Sequence, residues 1–294
     1  MPKKIEGLII YEAPKLKQPY LVAAFGGWPN AGEVATGAVT YFKDKLEATR
    51  FAELSPEDFY DFTTQRPTVA VDAGSLKALS FPANEFFYWK GKGKKRAHDL
   101  ILLLGMEPHL RWLHFCQALL EVAKRFGVVK VISLGGVFDR LPHTREPLVT
   151  GVVNRVRLKE GLGRYGIELT DYRGPSSFHS TLMMACTRRR MDATTVWGHV
   201  PHYISVANPQ VCLSMVEKVA KMLEVEVDPS ELEGPARELG RVLEKLMAQN
   251  SQLKDHVQML EKEHGKEQPP SPLRPQDVLR EVEDFLKRER GTSP

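Results

Sequence analysis

The chain has 294 residues, 42% of them hydrophobic, with 41 basic and 37 acidic side chains and a formal charge of +4. That is enough apolar residue to bury a full core, and too little net charge to recruit nucleic acid or a membrane by its overall field. The longest purely aliphatic run, Leu100 to Leu104, falls far short of the ~20 residues of a membrane span.

The opening Met1-Pro2-Lys3-Lys4-Ile5-Glu6 runs into a strand-like stretch with no apolar leader, so a soluble, cytoplasmic protein is expected. Residues 20–25 read as a buried strand. Asn30, with Glu33 three residues later, has the spacing of a capping box that opens a helix from Ala31 to about Lys45. Residues 68–72 and 85–89 carry β-branched or aromatic residues bounded by turn formers, and Leu100 to Leu104 has the continuous apolar character of a central strand. A helix follows from Leu110 to Phe126, then a strand from Val128 to Leu134 and a polar loop from Gly135 to Gly151. Asn154 to Tyr165 reads as helical, Ser177 to Arg190 as a second clear helix, Thr194 to Val200 as a strand and Gln210 to Leu223 as a third helix. Cys116, Cys186 and Cys212 all fall in helical patterns, which suits reduced core thiols rather than disulfides or a zinc cluster.

Apolar runs in this chain end repeatedly in loops dense in Gly, Pro and polar residues: Gly26 to Gly32, Gly105 to His109, Gly135 to Arg145, and Val200 to Tyr203. Strand, loop and helix in recurrence imply a parallel sheet with its functional residues along one edge. From Pro229 onward the pattern changes. Leu239, Leu246, Leu253 and Leu260 recur every seven residues, with Leu243, Asn250 and Val257 four residues after the first three. Leucines at d, with Leu, Asn and Val at a, suit a parallel two-stranded coil whose Asn sets the register; an amphipathic helix folded back on its own domain fits the same spacing. The division expected is an α/β domain over residues 1–232, a helix over 233–265, and over 266–294 a Pro-rich linker with a short terminal helix from Pro275 to Arg290.

Several constellations invite chemistry. Gly27 and Gly32 have phosphate-loop spacing, but Glu33 stands where that motif needs Lys, which disfavours phosphate at the helix start. Asp139-Arg140-Leu141-Pro142-His143-Thr144-Arg145-Glu146 gathers a carboxylate, an imidazole, a hydroxyl and guanidinium groups beyond a central strand, a set suited to acid/base work or to ordinary loop salt bridges. His199 and His202, with His143 or His179, would make a metal site only if the fold assembled them. Ser176 and Ser177 precede a helix without G-x-S-x-G, so a cap is the first expectation there. Lys90 to Arg96 is the one basic run, a solvated hairpin or a weak phosphate contact.

Gly27-Trp28…Ala31-Gly32, Phe59-Tyr60-Asp61-Phe62, Arg66-Pro67, Gly105-Met106-Glu107-Pro108, Pro142-His143-Thr144-Arg145, Tyr172-Arg173-Gly174-Pro175 and Val200-Pro201-His202-Tyr203, taken in order, resemble the signature blocks of the proteasome-assembly-chaperone family, in the branch of its second chaperone. The resemblance covers roughly residues 5 to 232. It implies a three-layer α/β/α domain similar to nucleoside phosphorylases, self-association, and, for eukaryotic and archaeal relatives, binding of proteasome α-subunits; it implies no catalytic residue. Two positions depart from the pattern: Gly291-Thr292-Ser293-Pro294 replaces the hydrophobic-Tyr-x ending of archaeal relatives, and Ser176-Ser177 replaces Thr-Gly.

The leading expectation is a non-catalytic assembly or scaffold factor that binds proteins, with proteasome subunits or itself as partner, forms a homo-oligomer, and uses no cofactor, metal, membrane or nucleic acid. Leu239, Leu243, Leu246, Asn250, Leu253, Val257 and Leu260 are its oligomer or partner residues. The rival is a small-molecule hydrolase or transferase with Glu107, His143, Arg145 and His202 as acid/base and anion-binding groups. Gly27, Trp28, Asn30, Gly32, Thr144, Ser176 and Tyr203 would line its ligand site.

Overall fold

A computed structural model describes residues 7–91 and 98–264. In chain order the elements are β1 (Leu8–Ile10), β2 (Tyr20–Gly26), α1 (Val34–Lys45), β3 (Thr49–Leu54), β4 (Thr68–Asp72), β5 (Ser75–Ser80), β6 (Asn84–Trp89) and β7 (Leu100–Met106). There follow α2 (Trp112–Arg125), β8 (Lys130–Asp139), β9 (Val149–Val153), α3 (Lys159–Arg164), β10 (Glu168–Leu169), α4 (Phe178–Arg188), β11 (Asp192–Pro201), α5 (Pro209–Leu223), α6 (Ser230–Gln249) and α7 (Ser251–His264). Most of the basic run Lys90 to Arg96 and all of residues 266–294 lie outside the described residues.

The four apolar runs that the loops punctuate are the four central strands. They lie in the order β7-β2-β8-β11 and are parallel throughout, so their C-terminal loops meet along one rim. The sheet is nevertheless mixed. β1, β3 and β6 extend it antiparallel beyond β7, while β9 pairs antiparallel with β11 at the other side. β4, expected as part of the main body, pairs only with β5 in a separate two-stranded hairpin.

Alternation along the central strands builds two cores. Val22, Ala24, Leu102, Ile132 and Val196 face α1 and α5, packed against Val39, Phe42, Met215 and Val219. Leu21, Ala23, Phe25, Ile101 and Val131 face α2 and α4, packed against Phe115, Leu119, Phe178 and Leu182. Helices therefore cover both faces of the sheet, as parallel strands that are apolar on both sides require. The three cysteines are free and buried in these layers, where burial pushes each thiol up to about 12.

β2 leads to α1 on one face, whereas β8 leads by way of β9 and β10 to α4 on the other. The crevice outside β2 and β8 is thus the topological switch point, where open α/β sheets usually bind ligands. Here the chain itself fills it. The Gly136 amide donates to the Pro29 carbonyl at 2.7 Å, and Asn30 bridges to Gly136 in strand fashion. A Cβ on Gly136 would lie 2.5 Å from the Ala31 carbonyl oxygen and 2.9 Å from its nitrogen, so only glycine admits this approach. Gly32, at φ +57°, turns the loop back, and its carbonyl accepts from the Asn208 amide at 2.8 Å. α1 consequently starts at Val34 and not at Ala31; Asn30 Oδ1 accepts from the amides of Ala35 and Thr36 and forms no capping box with Glu33.

Two further expectations change. The polar loop after the Val128 to Leu134 strand is shorter than residues 135–151, because β8 runs on to Asp139 and β9 starts at Val149. The helix expected over 233–265 is two helices, interrupted at Asn250, whose φ of −125° and ψ of 104° are extended. Its apolar positions Leu239, Leu243, Leu246, Leu253, Val257 and Leu260 are buried with Tyr203 and Ile204 of the same chain, which leaves no heptad seam free for a partner helix. Of the two sequence alternatives, the fold-back is the one adopted: α6 packs along α5, and α7 turns onto the rim.

Gly136→Ala is expected to lower stability in urea by about 1–3 kcal/mol, the usual cost of forcing extra volume into a filled site. Gly161→Ala, in α3 with no atom within 4 Å of the added carbon, is expected to raise it by about 0.5–1 kcal/mol. Equal effects in the two variants would show that the loop does not seal the crevice.

Candidate functional site

The rim brings the expected residues to one edge of the sheet, but each is held by its own partners. The Glu107 carboxylate, half-buried after β7, accepts from the Phe178 amide at 2.7 Å and so caps α4. Burial raises its pKa, and the Phe178 bond partly offsets that. Ser177, at the N-cap, makes no side-chain cap bond. Its hydroxyl lies 3.3 Å from His179 Nδ1, while His179 Nε2 lies 2.9 Å from the Leu134 carbonyl. Since a carbonyl only accepts, Nε2 carries the proton and Nδ1 accepts from Ser177. Both residues are buried, and burial takes the imidazole down to about 4. The neighbouring Ser176 hydroxyl donates to the Ser177 carbonyl. The Ser177–His179 pair was not foreseen, although the two-residue spacing at a helix start is its sequence trace.

Beyond β8 and β11 the rim is polar and is covered by α7. His143 is buried, with its amide 2.8 Å and its Nδ1 2.6 Å from the Tyr203 hydroxyl. Burial brings its pKa down to about 4 and raises that of Tyr203. Arg145 donates to the carbonyls of Glu261 and His264 at the end of α7, satisfying groups that a helix terminus leaves open. The Thr144 hydroxyl donates to the Glu261 carboxylate at 2.5 Å, and Arg140 pairs with Glu263 at 3.0 Å. Burial raises the Asp139 pKa, but its 2.7 Å contact with His199 Nδ1 outweighs this and keeps the carboxyl below the usual carboxylate range. His199 Nε2 in turn meets Thr150 at 2.8 Å. The histidines considered for a metal thus go to different partners, and among the described residues no three His, Cys, Asp or Glu side chains group as metal ligands.

On the β7 side the blocks lock loops together. The Tyr60 hydroxyl meets Asn84 Oδ1 at 2.5 Å and the Met106 carbonyl at 2.8 Å, and the Phe59 carbonyl accepts from the amides of His109 and Leu110. What stays exposed here is apolar. Trp28 in the loop after β2 is 64% exposed, and Leu110 in the loop after the adjacent β7 and Leu113 in the first turn of α2 are exposed too. The β4–β5 hairpin rises from the same rim, between the rim-side ends of β3 and β6. Its register pairs Val69 with Leu79 and Val71 with Leu76, so the four form one aliphatic face, and all four are exposed. A two-stranded hairpin has marginal stability alone, and no other strand among the described residues pairs with this one.

A mixed sheet covered by helices on both faces, with its switch crevice closed by the chain's own backbone, defines the protein as an α/β domain. Residues 24–247 match the PAC2 family, and the chain belongs to it. Its fold is similar to that of a PAC2 family protein from Streptomyces avermitilis, at 34% identity and TM-score 0.73, over 81% of this chain and 99% of that one. It is similar also to the Mycobacterium tuberculosis proteasome-assembly chaperone homologue Rv2125, at 31% identity and TM-score 0.73, over 81% and 99% of the two chains. Pyrococcus furiosus PbaB, an archaeal proteasome activator, shares the fold at TM-score 0.67 and 22% identity, over 82% of this chain and 98% of that one. No helix among the described residues is long and apolar enough to cross a membrane.

The hold of α7 on the rim includes a contact between two imidazoles. His202 Nδ1 faces the Asp139 carbonyl at 3.2 Å, and its Nε2 faces His256 Nε2 at 3.2 Å, a geometry that needs at least one ring neutral. Burial lowers both pKa values first; in each case the nearby Arg140 lowers it further, and for His256 the His202 ring does so too. Docking is therefore favoured by the neutral rings, is complete above the free value of about 6.5, and weakens as pH falls below it. Hydrogen exchange at α7 amides is expected to speed up between about pH 7 and about pH 5 relative to α5. His256→Gln should flatten that response; the same slope in the variant would show that the contact plays no part.

Proposed function

We propose that this PAC2-family protein is a non-catalytic assembly factor that binds other proteins in the cytoplasm. Its docking surface is the rim strip of Trp28, Leu110 and Leu113 with the aliphatic face of the β4–β5 hairpin. The observation that carries this reading is the division of the rim: the polar groups that could do chemistry are committed to internal bonds, and the large apolar groups are turned outward. Glu107 caps α4, His143 is held by Tyr203, Arg145 by α7, and His202 by Asp139 and His256. A hydrolase or transferase would need these groups directed at a shared substrate, and no observation favours that alternative. Proteasome subunits are the partner class, supported by the relative at 31% identity that is named a proteasome-assembly chaperone homologue. Self-association through the α/β domain belongs to the same reading.

The test is binding of the purified protein to recombinant proteasome α-subunits of its host, followed by native mass spectrometry. Buried aromatic anchors at interfaces contribute about 2 kcal/mol or more, so Trp28→Ala, and separately Leu76→Asp on the hairpin, are expected to weaken capture at least about tenfold with an unchanged melting temperature. Undiminished capture by both variants would remove the surface assignment, and no capture by the wild-type protein would remove the partner class.

A further inference from the structure

The bend at Asn250 interrupts a pattern that does not itself break. Leu232, Leu239, Leu246, Leu253 and Leu260 keep one seven-residue phase from α6 into α7, although the helix is interrupted at Asn250; the last four of them enter one buried cluster with Tyr203 and Ile204. A phase carried unbroken across the bend is one that a single continuous helix can also use. The corner is also small. The Asn250 amide still donates to the Leu246 carbonyl at 2.8 Å, and the Asn250 carbonyl accepts from the Lys254 amide at 3.1 Å; both are helical i to i−4 bonds. A change at this one residue, in φ from −125° and in ψ from 104° to the helical values of about −63° and −42°, would let the interrupted bonds form between them. What holds the bend is Asn250 Oδ1 accepting from the Leu253 amide at 2.9 Å, together with the seating of α7.

That seat is self-contained. α7 inserts Leu253, Val257 and Leu260 beside Tyr203 and Ile204, and its polar edge meets Arg140, Thr144, Arg145 and His202. This is a helix laid in a groove with i, i+4 and i+7 anchors, supplied by the same chain across the bend at Asn250.

We propose that α7 exchanges between two copies of this chain. With Asn250 helical, α6 and α7 form a single helix that carries α7 off its own rim and onto the rim of a second copy, which returns its own α7 in a two-fold arrangement. Every contact of the seat is then remade between copies, so the closed and exchanged forms differ only at the hinge, along the straightened helices and in concentration dependence. The apolar seam read from the sequence as an intermolecular coil serves both forms. The inference stands apart from the docking reading, since it needs no third partner and involves neither Trp28 nor the hairpin.

The experiment uses the full chain with Thr144→Cys and Glu261→Cys, two positions in contact across the seat, joined by a short bis-maleimide. Ordinary and heavy-isotope-labelled copies are mixed at rising concentration, incubated and cross-linked. Exchange predicts hybrid cross-links whose share grows with concentration. Asn250→Leu, which removes the cap and favours a straight helix, is expected to raise the dimer-to-monomer ratio at fixed concentration about tenfold. A flexible Gly/Ser insertion of about four residues after Asn250 should lower it below wild type, because a longer hinge lets α7 reach its own rim without strain. Cross-links confined to single copies at every concentration and in both hinge variants would overturn the proposal. A dimer in which the links between the two substituted positions stay within copies would overturn it too, since such a dimer forms by another surface. Should Asn250→Leu fail to fold, the wild-type-hinge mixing series decides by itself.

Discussion

The backbone contact between the loop after β2 and Gly136 governs the rest of the molecule. Parallel strands whose connections leave to opposite faces open a crevice between them, and in most such sheets that opening receives a ligand. Here the Pro29 carbonyl and the Ala31 backbone occupy it, at distances that exclude any side chain on Gly136. Around the closed crevice the polar groups of the neighbouring loops bond to one another.

The rim motifs are therefore structural in this chain. Tyr60 ties the excursion after β3 to the loop after β7, Glu107 ties that loop to α4, and Tyr203 ties the loop after β11 to the one after β8. Each staple joins segments far apart in sequence, and together they make a rigid platform. Rigidity suits a surface that presents Trp28, Leu110 and a projecting aliphatic hairpin, because a preorganised surface loses little entropy on binding.

The C-terminal helices connect this platform to the chain's own end. α7 closes the polar half of the rim and leaves the apolar half open, so the two halves are under different control. The polar half is covered by a helix that follows the bend at Asn250 and that faces the rim through a pair of imidazoles.

The central architecture was legible from the residues. Continuous apolar runs such as Leu21 to Phe25 and Leu100 to Leu104 can only be strands buried on both faces, and glycine- and proline-rich loops after each run placed the rim at their C-terminal ends. The heptad leucines were legible as an apolar seam, and the cysteines as core thiols. What the sequence could not decide was partnership in space. β9 and β10 are short, and β4 reads like any half-buried strand, so nothing local tells that it stands off the sheet. Glu107, His143 and His202 look like acid/base candidates because a side chain's chemistry is local, whereas its availability depends on which distant groups fold against it. Likewise the seven-residue spacing determines that Leu253 and Leu260 are buried, but the angle at Asn250 and the seat offered by Tyr203 and Ile204 decide what buries them. Periodicity is a property of a single helix; the identity of its partner is set by the packing of the whole chain.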